Sequence, residues 1–391
     1  VSTFAVKVAR IRAIEPIENA DVIELAVIGD YRSVVRKGDF RAGDLAVYVP
    51  EASLVPEWLL EKMGLTGKLT GKLKNRVKAM KLRGCLSQGL LYKLDSPKSF
   101  DTSTGLLDYY NTTHERVDRI VVREGDDVID FLGIVKYEPA IPAYMSGDVY
   151  NAGTDVTLNY DIDNFKAYPD VLAPGEEVVM TEKLHGTLCG VGILPTQDWD
   201  VKHYMGKYVV FSKGYGGKGL CFTGSERNLG NVYFRALINA DMFNKLHELV
   251  EWYAAERKEI LNHPIFVLGE VYGRGVQDLA YGNNEVSFRA FDVAEGHRND
   301  LRYYGFDQFY SFCVDLIGVE TVPVLYRGPF DKEKMIELTN GTETISGTAQ
   351  HIREGIVIRP VVERYHNELG RVILKSVSED YLLRKNGTEY N

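Results

Sequence analysis

The chain has 391 residues, 45% of them hydrophobic and 26% charged, and carries a formal net charge of −9. That length predicts two domains with separate cores, and the acidic balance excludes a generally basic coat, so any polyanion must be held by a local patch. No apolar run approaches the roughly 20 residues that cross a bilayer, which excludes a membrane-spanning helix. The opening VSTFAVKVARIRAIEP alternates like a strand rather than a signal-peptide core, so the expected location is the cytoplasm.

Residues 4–13, 22–28, 31–36 and 44–49 read as short strands, with GD turns at Gly29-Asp30, Gly38-Asp39 and Gly43-Asp44 between them. Strands this closely spaced, with no helix intervening, predict a small barrel or sandwich. A short helix is expected at 55–63. It leads into KMGLTGKLTGKLKNRVKAMKLRG, residues 62–84, which holds eight Lys or Arg and no acidic residue, and then into a strand pair around 81–92. Such a run is either a solvated loop or a contact to a phosphate backbone. In a net-acidic chain the second reading is preferred, and it assigns Lys68, Lys72, Lys74, Arg76, Lys78, Lys81 and Arg83 to nucleic-acid binding.

Residues 94–175 are mixed and rich in turns, with a helix expected at 126–132, and the prolines of EPAIPAYMSGD, 138–148, mark a linker. The predicted organisation is a first domain at 1–137, a linker at 138–154 and a second domain at 155–391. In the second, strands are expected at 177–183, 188–193, 207–212, 265–272, 286–293, 355–359 and 371–375. Helices are expected at 231–258, 303–317, 331–339 and 378–385, an interspersion typical of α+β domains. Cys85, Cys189, Cys221 and Cys313 form no CxxC pair, have no histidine at zinc-ligand spacing, and read as buried free thiols.

The sharpest chemical signal is Thr181-Glu182-Lys183-Leu184-His185-Gly186-Thr187, where the apolar EEVVMTEKL gives way to a turn and a second strand. Burial of Lys183 at a strand end should lower its pKa toward the neutral amine needed for nucleophilic attack. Gly186 lets the backbone turn tightly near a ligand. Further elements follow in a fixed order: VLGEVYGRG with Glu270, FRAFDV with Phe288, Phe291 and Asp292, EGIVIRP opening on Glu354, and RVILKSVSEDYL carrying Lys375.

Together these elements resemble motifs I, III, IIIa, IV and V of the covalent nucleotidyltransferase superfamily, which includes ATP- and NAD-dependent ligases and mRNA capping enzymes. IEPIENADVIELAVIGDY and VVRKGDFRAGDLAVYVP resemble an OB fold of the tRNA-binding type. FLGIVKYEPAIP, TEKLHGT and RKNGTEY extend the resemblance to the fifth ATP-dependent RNA ligase family, over nearly the whole chain. The fold it implies is α+β: an N-terminal OB-type β-barrel, then a nucleotidyltransferase domain of antiparallel sheets flanked by helices.

The resemblance implies Lys183 as the nucleophile on the α-phosphorus of ATP, with Glu182 helping to recognise adenine and Leu184, His185 and Gly186 completing the motif at the nucleotide. It implies Glu270 for the ribose hydroxyls, Phe288 as the aromatic stacked on the base, Glu354 as the acid at the metal, and Lys375 as the lysine that neutralises the α-phosphate. Magnesium, or manganese, suits a site of acids and substrate phosphates. Two positions depart from the common pattern. His185 stands where DNA ligases and capping enzymes usually carry Asp, which tilts the substrate toward RNA, and Ile373 replaces the first lysine of motif V, leaving Arg371 as a substitute or the register open. In FSKGYGGKG, 211–219, Lys213 and Lys218 either contact phosphates or are solvated lysines of a glycine-rich hairpin.

The implied activity is ATP-dependent sealing of 3′-OH and 5′-phosphate RNA ends, nicks in particular, through lysyl-AMP, by an enzyme expected to be monomeric. The alternatives are a DNA ligase or GTP-using capping enzyme, and a non-catalytic RNA-binding protein.

Overall fold

The computed structural model describes residues 4–95, 103–195, 207–257 and 261–388, so the first residues and the end of RKNGTEY lie outside the described residues. The chain divides into two units, one made of Thr3–Glu138 with Phe165–Pro169, the other of Pro139–Asn164 and the chain from Asp170 onward.

In the N-terminal unit the alternating segments form the expected strands. Lys7–Arg10, Leu45–Val49 and Leu90–Lys93 make one antiparallel sheet; Ala13–Pro16, Ile23–Ile28 and Tyr31–Arg36 make another. Ile11 N–H donates to Asp44 O while Arg12 N–H donates to Val27 O, so the first long strand leaves one sheet and joins the other within two residues. That corner curls the unit around buried Val8, Val47, Val49 and Leu107. The helix Glu57–Met63 ends at Gly64, whose left-handed conformation closes it. The basic stretch that follows is anchored by buried Leu69 and Val77, and Val77 N–H donates to Ser53 O.

One element was not anticipated: Thr104–Asn111 and Arg116–Arg123 form an antiparallel hairpin eight residues long on each side. Its inward positions, Gly105, Leu107 and Val122, are buried, but charged residues on the other face obscure the alternation. The helix expected at 126–132 is the shorter Ile129–Leu132.

In the C-terminal unit two five-stranded sheets carry the functional residues. The first runs Asp163–Asn164, Leu374–Val377, Gly355–Pro360, Glu177–Lys183, Val324–Pro329; the second runs Tyr208–Ser212, Thr187–Ile193, Ile265–Tyr272, Ser287–Glu295, Arg302–Tyr303. All neighbours are antiparallel except Asp163–Asn164 with Leu374–Val377. The helices Val232–Asn239 and Met242–Trp252 pack Leu237 and Leu246 against Val191 and Val267 of the second sheet. The single helix expected at 231–258 is broken where Asp241 takes a left-handed conformation, φ 57°. The strand expected at 371–375 is displaced, because Gly370–Arg371 pairs with Tyr365–His366 in a separate small hairpin.

Residues 139–154, placed by their prolines in a linker, pack in the C-terminal unit: Met145 is fully buried in its core, Ile141 lies against it, and Val149–Asn151 pairs with Leu220–Phe222. Apolar side chains between the prolines decide this, since they have a core to enter. The cysteines are unpaired, three buried and Cys85 half-buried. Among the described residues no helix is long and apolar enough to cross a membrane.

Candidate active site

Glu177–Lys183 is a central strand of the first sheet and Thr187–Ile193 a strand of the second, so residues 184–186 carry the chain directly between sheets. Gly186 is required there: a Cβ would sit 2.1 Å from Val271 O. In the strand register Lys183 lies opposite Gly355, which brings the preceding Glu354 beside it, and Val357 opposite Lys375 extends the same surface. Gly355 is equally constrained, since a Cβ would lie 2.0 Å from Ser376 O. Leu188 opposite Glu270 brings that carboxylate in from the second sheet.

These strands line a cavity of about 260 Å³. Glu182, Lys183, Leu184, His185, Gly186, Lys213, Glu270, Glu354 and Lys375 all line it. Phe288 does not. It is 4% exposed and packed in the core with the helices, whereas Phe291 of the same strand lines the cavity, together with Tyr160, Phe306 and Tyr381. Residues three apart on a strand point to opposite faces. Leu268 pairs with Asp292 and Gly269 with Ala290, so Phe291 is the extra residue of a bulge, a device that re-aims a side chain. The sequence reading also missed Asp161. Its carboxylate lies 3.0 Å from Lys213 Nζ and 3.9 Å from Lys375 Nζ, so it bridges two cavity lysines.

The charges do not behave as burial alone predicts. Burial pulls the Lys183 pKa down, but the carboxylates of Glu354, Glu270 and Asp161 outweigh it and hold the amine above its ordinary value. Its Nζ donates to Glu354 Oε1 at 2.7 Å. Burial pushes Glu270 up to about 8, against the opposing pull of Lys183. Lys375 is lowered by burial, with Lys213 and Lys183 acting in the same direction. Glu182, 1% exposed, accepts the Thr344 N–H and hydroxyl, and burial raises its pKa.

A family model described as RNA ligase matches residues 176–377, just over half of the chain and all the strands of the first sheet except Asp163–Asn164. The chain belongs to the RNA ligase family. An OB-fold domain model matches residues 5–94, in keeping with the N-terminal barrel. The ligase also resembles the solved RNA ligase of Naegleria gruberi with pyrophosphate, at 20% identity and TM-score 0.71, over 97% of this chain and 98% of that one. Structures of mutants of the same protein match similarly: one with ATP and manganese has TM-score 0.68, 20% identity and coverage of 97% and 98%, and one with AMP and manganese has TM-score 0.70, 20% identity and coverage of 96% and 97%. At this identity the likeness establishes a shared fold. No curated protein matches by sequence.

Next to the ligase cavity a buried ion cluster answers the question left by motif V. Arg371 pairs with Asp292 and Glu363, and Arg359 with Asp292, whose carboxylate is fully buried and also accepts the Tyr160 hydroxyl. Burial raises the Asp292 pKa, but Arg371 and Arg359 outweigh it and hold the group below its ordinary value. Arg371 is therefore committed to this cluster and absent from the cavity lining, which Ile373 joins instead. The second cation near Lys375 is Lys213, reached through Asp161.

In the ligase's N-terminal unit, Lys68, Lys72, Lys74, Lys81 and Arg83 are exposed and Lys78 is half-buried. Arg76 differs: its guanidinium lies 3.6 Å from the centre of the Tyr137 ring, so it takes part in packing the loop.

Proposed function

We propose that this RNA ligase is ATP-dependent and joins 3′-OH to 5′-phosphate ends, nicks in particular, through lysyl-AMP on Lys183. The observation that carries the reading is the convergence of Lys183, Glu354, Glu270, Lys213 and Lys375 on one cavity. The ATP, AMP, pyrophosphate and manganese in the solved relatives support it.

In the first step the Lys183 nitrogen bonds to the α-phosphorus and the bond to the leaving pyrophosphate breaks. AMP then passes to a 5′-phosphate, forming a pyrophosphate linkage, and a 3′-hydroxyl displaces AMP to close the backbone. Dividing the reaction through a covalent intermediate replaces one hard displacement with easier ones. Lys213 and Lys375 are placed to meet phosphate oxygens, Glu270 to accept ribose hydroxyls, and Phe291 to stack on the base.

Lys183 rests as an ammonium and must lose its proton before attack. Any interaction that engages the Glu354 carboxylate removes the strongest of the influences keeping it charged, so that burial, which favours the free amine, is opposed only by the weaker pull of Glu270 and Asp161. Glu354, whose carboxylate lines the cavity beside Lys183, would hold an oxygen-seeking divalent cation whose other ligands substrate phosphates and water would supply. Such a cation supplies positive charge against the phosphates. The exposed basic residues of 68–83 grip RNA by its backbone and shape.

The test is transfer of label from α-labelled ATP, with GTP in parallel. Wild-type protein should take up the adenylate and Lys183→Ala none; a labelled Lys183→Ala protein means another nucleophile.

A further inference from the structure

The family match stops at Val377, but the cavity lining includes Tyr381, four residues beyond it. We propose that residues 378–388 position the catalytic turn: Tyr381 and Asp278, the latter held by Arg384 and Thr388, lock the His185 side chain and so fix the backbone that presents Lys183. This rests on the reading of Lys183 as the nucleophile.

His185 is 3% exposed and has a polar partner on each ring nitrogen. Nε2 lies 2.7 Å from Asp278 Oδ1 and 3.2 Å from Arg384 Nη2, and Nδ1 lies 2.7 Å from the Tyr381 hydroxyl. Asp278 is the nearer partner of Nε2 and can only accept, and the Tyr381 hydroxyl can give or take a proton at Nδ1, so the ring is tied down at both nitrogens. Imidazole is thus held in one orientation. Tyr381, itself 5% exposed, also meets the ring edge-on at 5.3 Å.

The end of the described chain secures this arrangement. Arg384 donates to both oxygens of Asp278, at 3.0 and 3.1 Å, with its guanidinium 3.8 Å from the centre of the Tyr381 ring. Thr388 gives Asp278 Oδ1 both its N–H and its hydroxyl, each at 2.8 Å. On the backbone side, His185 N–H donates to the Tyr281 hydroxyl and Gln277 Nε2 donates to Gly186 O. The three-residue turn is therefore gripped by its main chain from Tyr281 and Gln277, and by its side chain from Asp278 and from Tyr381 and Arg384 of the segment after the family-matched region. Lys183 precedes that turn, and misplacing a nucleophile by about 1 Å can slow a reaction on the order of 100-fold.

The experiment compares wild type, Tyr381→Phe, Asp278→Asn and the exposed control Glu368→Ala, which lies outside the segment, in single-turnover self-adenylylation across ATP concentrations. Hydrogen exchange of amides 184–187 is followed in parallel. The expected result is a rate at saturating ATP lowered roughly tenfold or more in the first two variants, half-saturating ATP within about threefold of wild type, faster exchange at 184–187, and an unchanged control. Tyr381→Phe with the wild-type rate overturns the inference. So does a loss of rate, ATP affinity and melting temperature together, which marks a merely structural contact. If wild-type protein forms no adduct, the reading of Lys183 falls and this inference with it; if wild type is labelled and Tyr381→Phe keeps pace, only this inference falls.

Discussion

Lys183 Nζ and Glu354 Oε1 are 2.7 Å apart, so the amine proposed as nucleophile stands in an ion pair inside the cavity. Burial by itself predicts a neutral lysine, but here a carboxylate partner, with Glu270 and Asp161 nearby, more than cancels it. If Lys183 is the nucleophile, substrate has to draw the carboxylate away before the nitrogen can react.

Phe291 and Phe288 should separate cleanly on substitution. Phe291→Ala is expected to raise the ATP concentration needed for half-maximal adenylylation severalfold with little change in stability. Phe288→Ala removes a ring buried to 4% exposure and should cost about 3–5 kcal/mol in urea unfolding. The reverse pattern would return the base-stacking role to Phe288.

Glu270 makes the stability of the nucleotide-free ligase depend on pH. Its folded pKa is raised from 4.5 to about 8, so between those values the folded state holds a proton that the unfolded chain has released. The contribution to stability is fully present below pH 4.5 and is lost as pH rises through about 8. Glu270→Gln cannot ionise, and its melting temperature should gain on wild type from weakly acidic to alkaline pH. Parallel curves for the two proteins would contradict this.

Asp292 neutralises two arginines in a region closed to water. Asp292→Ala leaves Arg359 and Arg371 buried beside one fewer carboxylate, and breaking a buried pair from one side costs roughly 3–5 kcal/mol. Denaturant titration is the check; a loss under about 1 kcal/mol would put the Asp292 cluster among weak surface pairs.

The exposed lysines of the N-terminal unit should matter to RNA and not to ATP. Reversing Lys68, Lys72 and Lys74 to Glu is expected to weaken end joining and flatten its salt dependence by about 0.7–0.9 per lost phosphate contact, while self-adenylylation stays unchanged. Sealing assays at stepped ionic strength decide it, and a wild-type sealing rate would remove this loop from the interface.

Much of the site was readable because it depends on local pattern. An apolar strand ending in a lysine, a glycine where the chain turns, and acids at the mouths of later strands all mark themselves in the sequence. What escaped was set by pairing. Phe291 faces the cavity because it lies an odd number of positions from the core-facing Phe288 and Ala290, at a bulge in the register against Leu268 and Gly269. Asp161 acquires its role from Lys213 and Lys375, far away along the chain. Arg371 looks available in sequence, yet burial beside Asp292 consumes it. In the fold, the hairpin after residue 103 hid behind its charges, and the prolines near 140 suggested a linker because composition cannot show that Met145 has a core to enter.

The passage of the backbone from one sheet to the other through residues 184–186 gives the ligase the character of tongs. Lys183, Glu354 and Lys375 ride on one jaw, Glu270 and Phe291 on the other, with hardly any chain between the jaws to absorb a shift. Repacking deep inside either layer, at Val191 or Ile358 for instance, should therefore be felt as a changed spacing between Glu270 and Lys183, and mutations remote from the cavity should register in the rate of self-adenylylation.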